Sequence, residues 1–412
     1  MRLILTLSAL FISDVLLQLG SGGVAPLDAI SGLQLHFSNA QIGFLGSAHF
    51  FGFFIGCWWA PRLMGTVGHS RAYAAFAAAG TIGMLMHMMI VSPYAWAAMR
   101  MLSGLCIAGC YTILEAWLNA RLTNETRGRA MGIYRMVDSG GSLLAQTLIG
   151  FLPPAAYLSY NLLALFCCMA LLPVTITKAE QPDMPEAPRL RPRLSWDCSP
   201  LGSVGVAVAG VTSSAFRMVG PLYGVAVGLS THQLAFFLAI YVGGGWLAQM
   251  PVGWLADRFD RRWVLIGLSL GAMMACAATV LAAGIGPRAI MAAAALFGIT
   301  TIPIYSVSSA HAHDFAATEQ RVELSAAQMF LYALGAIASP LIASWLITYS
   351  GPASMFGLIS LAHLALVVFG LARMRARPSR GARTAYIPAQ RTSFLIGKLT
   401  QRLREDGPDP KA

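Results

Sequence analysis

Charge is what this sequence has least of. Of 412 residues, 11% are Asp, Glu, Lys or Arg, against roughly 25% in an ordinary soluble protein. That shortage excludes a water-covered globule of this size. The seven cysteines include no C-x-x-C pair and sit mostly in apolar stretches, so neither a disulfide framework nor a zinc site is suggested. H-E-x-x-H, G-x-S-x-G and a phosphate-binding P-loop are all missing. An ATP-driven pump is therefore unsupported, and a membrane enzyme would have no visible nucleophile or metal cage. No enzyme activity, cofactor or metal is expected.

What is present is apolar sequence: 57% of residues are hydrophobic and mean hydropathy is +0.64. Twelve long runs recur, at 3–29, 41–61, 72–92, 95–118, 130–152, 156–176, 202–228, 233–255, 263–284, 288–309, 325–348 and 353–373. Each can span a bilayer as a helix, which takes about 20 residues. The runs lack strand alternation, so helices are expected and a β-barrel is not. The fold class is an all-α membrane protein of twelve transmembrane helices. The opening "MRLILTLSALFISDVLLQLG" looks like a signal peptide, but Asp14 interrupts it and no small-x-small cleavage site follows. It reads as a retained first helix.

Arginines and lysines fall on one side. With the N-terminus inside, Arg62, Arg71, Arg121, Arg127, Arg129, Lys178, Arg189, Arg191, Arg193, Arg258, Arg261, Arg262, Arg321 and the tail from Arg373 to Lys411 are all cytoplasmic. Arg288 alone sits at an outer connection, and Arg100, Arg135 and Arg217 fall inside spans. This is a positive-inside pattern, and it explains a net charge of +11 without nucleic acid. Both termini are expected in the cytoplasm of a multi-pass inner-membrane protein.

The chain divides in two. Residues 178–200, rich in Pro and charge, read as a cytoplasmic linker. Six spans precede it (1–177) and six follow (201–375), with a basic tail over 376–412. "GCWWAPRLMGTVGHSR" from Gly56 and "GWLADRFDRR" from Gly253 occupy the same place in each half. Two six-helix halves with matched loops outline a secondary transporter.

Gly253-x-x-x-Asp257-Arg258-x-x-Arg261-Arg262 resembles the loop motif of the major facilitator superfamily, and Arg100-x-x-x-Gly104 resembles its fourth-helix motif. "ILEAWLNARLTNETRGRAMGIYRM", "LAQMPVGWLADRFDRRWVL" and "IYSVSSAHAHD" resemble the YcaD-like branch of that superfamily. The resemblance covers nearly the whole chain and implies transport, with no established substrate. Three departures stand out. The first loop has "APRL" where an acid is common, Arg135 and Asp138 stand where uncharged residues are expected, and His313 stands where Asn is expected.

The charged loop suggests a cytoplasmic gate. Arg258, Arg261 and Arg262 anchor it, Asp257 can accept hydrogen bonds from an arginine, and Gly253 permits close helix approach. Arg62, Glu115, Arg127 and Arg129 are the first-half counterparts. The plainer reading is that these charges only set topology. Charges inside spans cost about 2.5–3.5 kcal/mol each and mark cavities or partners. Asp14 and Arg100 lie at depths that differ by about one helical turn, 5 Å, on helices that line the cavity in the resembling family, so they could pair and couple protons. Asp138, three residues from Arg135, is the second coupling candidate, unless Arg135 reaches Glu115 as a gate element.

Gln18, Gln146, Arg217, Tyr223, Gln249 and Tyr305 are polar or aromatic residues within spans and candidate substrate contacts. Arg217 can bind an anionic group. "MLMHMMI" (84–90) and "HAHD" (311–314) contain soft or imidazole metal ligands. Lipid-facing packing and a solvated helix end are the plainer readings. Residues 391–405 place Leu395, Leu399 and Leu403 four apart among basic residues, as in a helix lying on an anionic leaflet. The expected function is a proton-coupled exporter of a drug or metabolite, acting as a monomer with a small-molecule substrate, protons and the bilayer as partners. The alternatives are a proton symporter importing a small anionic metabolite, and a non-transporting sensor or assembly partner.

Overall fold

The computed structural model describes residues 2–120, 124–176, 190–376 and 386, apart from the side chains of 2–6, 119–120, 124–129, 131, 318 and 376. Among these the chain is helical. Before residue 177 come α1 (Arg2–Ser21), α2 (Val24–Gln34), α3 (Asn39–Val67), α4 (His69–Met86), α5 (Pro93–Ala120), α6 (Asn124–Ile149), α7 (Tyr157–Met169) and α8 (Leu171–Ile176). After residue 190 come α9 (Pro192–Cys198), α10 (Pro200–Ala226), α11 (Thr231–Arg258), α12 (Arg261–Ala282), α13 (Pro287–Thr301), α14 (Pro303–His313), α15 (Arg321–Ser350) and α16 (Ser354–Ala376).

Ten segments are long and apolar enough to cross a membrane. Three of them are pairs of helices, and two of the breaks fall at glycine or proline. Gly22 and Gly23 separate α1 from α2, and Pro303 opens α14 after α13. The pair α7 and α8 meets at Ala170. Two runs expected to span, 72–92 and 130–152, fall on α4 and α6 and are not among the ten. The reason for α6 is its charge: Glu125, Arg127, Arg129, Arg135 and Asp138 occupy its first four turns. The last third of the expected linker is helical. Within α9, Leu194 and Cys198 are buried in a small cluster with Ala312 and Leu324.

The helices before residue 177 and those after residue 190 repeat the same local devices. Ser38 caps α3 by accepting from Gln41 N–H, and the Gln41 side chain accepts from Ser38 N–H. Ser230 and Gln233 make the same capping box at the start of α11. Reciprocal caps of this kind satisfy two otherwise orphaned helix donors. Within each set a pair of helices then locks through glycine. Gly52 of α3 lies against the Met101 backbone, and Gly104 of α5 lies against the His49 backbone. Gly244 of α11 lies against Ala295 and Gly298 of α13 against Tyr241 in the same crossed pattern. One offset along the chain relates Ser38 to Ser230, His49 to Tyr241 and Gly52 to Gly244. A side chain at any of these four glycines would meet backbone, which cannot move aside.

Contacts between the two sets are made by α3 with α15, α6 with α11 and α2 with α10. At the end far from the chain termini, Asn39 donates to Thr348 (3.4 Å) and the Phe151 and His232 rings meet at 5.3 Å. At the opposite end Ala116 of α5 packs on Ala326 and Val322 of α15.

Gly104→Leu is expected to lower the melting temperature of the purified protein by several degrees, since overpacking a tight contact costs about 1–3 kcal/mol. Gly132→Leu, at a glycine with open space around it, is the control and should leave melting unchanged in a fluorescence-monitored thermal scan.

Candidate functional site

A two-lobed cavity lies between the two sets of helices. Its first lobe, about 760 Å³ with its open mouth, is walled by Gln18, Ser139 and Ser142 on one side and Thr212, Arg217, Tyr241, Trp246, Gln249, Thr301 and Tyr305 on the other. The second lobe, about 690 Å³, is bounded by His49, Phe50, Phe53, Arg100, Tyr111 and Asp138. Gln18, Arg217 and Tyr332 border both. The crossed glycine contacts place His49 and Tyr241 at matching points of the wall.

Four of the six expected substrate contacts line this space: Gln18, Arg217, Gln249 and Tyr305. Two do not. Gln146 donates to Gly22 O at 2.8 Å, so it ties α6 to the break between α1 and α2. The Tyr223 hydroxyl donates to Thr279 O at 2.9 Å, joining α10 to α12. A helix with polar residues at many positions does not reveal which of them face inward. His49, Tyr241, Trp246 and Tyr332 were missed for the same reason, since aromatic residues in apolar runs read as packing.

The buried charges sort themselves into three groups. First, Arg100 pairs with Asp28, not Asp14. Its Nε lies 3.3 Å from Asp28 Oδ2. Tyr160 donates to Asp28 Oδ1 at 2.9 Å, and His87 Nε2 is 3.7 Å from the same oxygen. His87 stacks on Tyr160 with centroids 5.1 Å apart, and its carbonyl accepts from Trp96 Nε1 at 2.7 Å. The expected Asp14–Arg100 pair fails because α2 carries a second acid one helix further along. Asp28 was readable in "GVAPLDAI", and so was the imidazole of His87 inside "MLMHMMI". Met84 and Met88 are buried beside His87, and Met89 is exposed. No cluster of three or more metal-binding side chains occurs among the described residues.

Second, Arg135 lies 3.5 Å from Glu115, as the gate alternative expected. Asp138, one turn on, accepts a hydrogen bond from Gln18 Nε2 and faces the second lobe. Asp14 precedes Gln18 by four residues, hence on the same face of α1. It is fully buried, and neither carboxylate oxygen has a hydrogen-bond partner. The charges of Asp138, Arg135 and Glu115 all reach it.

Third, the charged loop is centred on Arg261, which is 1% exposed. Its Nη1 bonds Asp314 at 2.8 Å and Ala310 O at 2.9 Å, and its Nη2 bonds Asp257 at 3.0 Å. These partners tie α12 to α11 and α14. Arg262 grips Asp260 at 2.7 Å, and Asp260 also caps α12 by accepting from Arg262 N–H. Burial alone would raise the Asp260 carboxyl. The Arg262 bonds and charge outweigh burial and hold it below the ordinary carboxylate range. Arg258 lies 5.2 Å over the Trp254 ring. Arg62, near the same end of α3, lies 3.9 Å over Trp58 and bonds Trp58 O. The side chains of Arg127 and Arg129 lie outside the described residues. Gly253 has its own reason here: a Cβ would strike the Tyr386 ring. Tyr386 donates its N–H to Asp257 (2.9 Å) and its hydroxyl to Gln249 (2.7 Å). The expected tail helix, 391–405, lies outside the described residues. His313, expected in a solvated helix end, is 2% exposed. It bonds Ser309 O at 2.8 Å and Ser325 at 3.2 Å.

Paired charges inside, a cavity between repeated helix sets and this loop are mirrored in sequence. The Major Facilitator Superfamily profile matches residues 10–198 and 202–406. This chain belongs to the Major Facilitator Superfamily. Its similar relatives are MFS-type transporters. It is 26% identical to the uncharacterized MFS-type transporter Ent638_1421 of Enterobacter sp. (strain 638), over 77% of this chain and 83% of that one. It is also 26% identical to the uncharacterized MFS-type transporter YcaD of Escherichia coli O7:K1 (strain IAI39 / ExPEC), over 74% and 80%. Similar solved folds include the nucleoside transporter NupG (TM-score 0.73, 13% identity, 92% of this chain and 100% of that one). The D-xylose-proton symporter is another (TM-score 0.63, 14% identity, 89% and 97%). The protein is thus a multi-pass membrane transporter of the YcaD-like branch, not an enzyme.

Arg261→Met is expected to destabilise the protein by about 3–5 kcal/mol, because it strands the Asp314 carboxylate without its cation. Asp257→Asn, at a half-exposed acid, should cost under about 1 kcal/mol. Thermal unfolding of both variants in detergent checks the ranking. Equal losses would show that the loop does not depend on Arg261.

Proposed function

We propose that the protein is a proton-coupled secondary transporter that moves a small polar organic solute by alternating access. Twelve spans in two six-helix halves, 1–177 and 201–375, suit the duplicated capping boxes and crossed glycines; α4 and α6 supply the two spans beyond the ten most apolar. The positive-inside pattern places both termini and the linker in the cytoplasm of a bacterial inner membrane, and a single copy holds the whole cavity.

One observation carries the coupling. A cavity carboxylate, Asp138, is hydrogen-bonded to Gln18, and one turn before Gln18 lies the buried, unpartnered carboxyl of Asp14. An ionisable group in a membrane without a partner is a functional site by default. In this reading a proton arrives at Asp138 from the cavity. Asp14 exchanges it as α1 and α6 shift against each other. The Glu115–Arg135 pair keeps the neighbouring charges matched. Arg261 keeps α11, α12 and α14 together as one rocking unit. The Asp28–Arg100–His87–Tyr160 cluster does the same for the outer ends of α2, α4, α5 and α7.

Uptake with protons fits better than drug export. The export reading rested on an Asp14–Arg100 pair, and Arg100 is engaged by Asp28. The first lobe is walled by hydroxyls and amides, Ser139, Ser142, Thr212, Thr301, Gln18 and Gln249, which suit a polar solute. A sensor without transport would not need a proton-accepting wall in a cavity between two mobile halves.

Reconstituted protein should acidify the lumen of proteoliposomes when a transported solute is added outside with a pH-sensitive dye inside. Asp138→Asn and Asp14→Asn should each reduce that acidification about tenfold or more, the scale on which a positioned proton carrier acts. Full acidification with both variants would refute coupling through these residues.

A further inference from the structure

The second lobe holds more polar side-chain nitrogens than its wall can satisfy. Asp28 engages the Nε of Arg100, but Nη1 of the same guanidinium is buried with no hydrogen-bond partner. Nδ1 of His49 is also buried with none. Arg217, where the two lobes join, has no ion pair or hydrogen bond to any described residue. Asp138, the one carboxylate lining these lobes among the described residues, is taken by Gln18. Three helices, α3, α5 and α10, therefore bring two guanidinium groups and an imidazole to one cavity, Arg100 and His49 Nδ1 buried in its wall and Arg217 half-buried at its mouth.

Leaving a buried guanidinium nitrogen such as Arg100 Nη1 unmatched in a low-dielectric site is costly. A packed core would have replaced it with an apolar side chain. A guanidinium presents a planar fork that fits a carboxylate with two parallel hydrogen bonds. The His49 ring borders the same space. The first lobe, on the far side of Arg217, offers Trp246, Tyr241 and Tyr305. Flat aromatic walls favour a planar body.

We infer that the second lobe is an anion subsite and that the solute is a small organic acid. Its carboxylate sits between Arg217, Arg100 Nη1 and His49, and its planar body lies in the first lobe against Trp246, Tyr241 and Tyr305. This names the substrate class for the transport reading above and rests on it. It also gives the proton a purpose. An anion beside Arg217 competes with Asp138 for positive potential, so a proton on Asp138 favours its entry. The other groups that act on Asp138 are Arg135 and Tyr134 on its own helix, Gln18 and Asp14 on α1, and Tyr111 on α5.

The test is binding to full-length protein purified in detergent, with benzoate and phthalate as probes and benzamide as the neutral isostere. Titration calorimetry should detect the acids and not the amide. Arg217→Gln should weaken benzoate binding about tenfold or more, as loss of a charge-assisted hydrogen bond does. Arg217→Lys should fall between the two, since it keeps charge and loses the fork. His49→Phe should weaken it less than Arg217→Gln. Thermal melts confirm that each variant is folded. Benzamide binding as well as benzoate, no binding of either acid, or a folded Arg217→Gln that binds normally would each overturn the inference. The proteoliposome assay separates the two readings. Proton-linked movement of a neutral solute keeps the transport reading and removes this one. Acid binding without any proton movement does the reverse.

Discussion

A charge enclosed by apolar helices in a bilayer has no water to solvate it, so it must find a partner in the protein or remain exposed to a cavity. Most of this structure can be traced to that constraint. Arg261 collects Asp314, Asp257 and a helix-end carbonyl, and so fixes three helices relative to one another. Asp28 collects Arg100, Tyr160 and His87 and does the same at the other end of the bundle. These clusters are structural anchors first. Removing one partner would leave the other buried and unmatched.

The exceptions are the groups left without such partners. Asp14 has no hydrogen bond, and Arg217 opens onto the cavity where the lobes join. They lie on α1 and α10, one from each set of helices, with Gln18 and Asp138 between them. A static scaffold has no use for a carboxyl and a guanidinium held in this way. A carrier does, because each can be matched in one state of the cycle and released in the other. The rigid clusters make this possible by confining motion to the seam between the two sets.

The helical, membrane-spanning architecture was legible in the sequence because apolar length is a direct consequence of the bilayer. The paired loops suggested a duplication, and the capping boxes Ser38–Gln41 and Ser230–Gln233 repeat at matching points of the two sets of helices. The site was only partly legible. Gln18, Arg217, Gln249 and Tyr305 stood out as polar residues in spans. Gln146 and Tyr223 stood out equally and turn to backbone carbonyls instead. Helical phase decides which way a residue faces, and broken helices such as α1/α2 and α13/α14 reset that phase. The Asp14–Arg100 pair was inferred from depth alone. Depth cannot distinguish two acids on one span when a glycine break rotates the second toward the arginine.

Alternating access requires the two sets of helices to rock about the cavity. Spin labels on Asn39→Cys/Thr348→Cys report one end, and labels on Ala116→Cys/Val322→Cys report the other. Double electron–electron resonance in nanodiscs at two pH values, with and without solute, measures both distances. Rocking shortens one distance whenever it lengthens the other. Distances that stay fixed at both ends under all conditions, or that lengthen together, would contradict it.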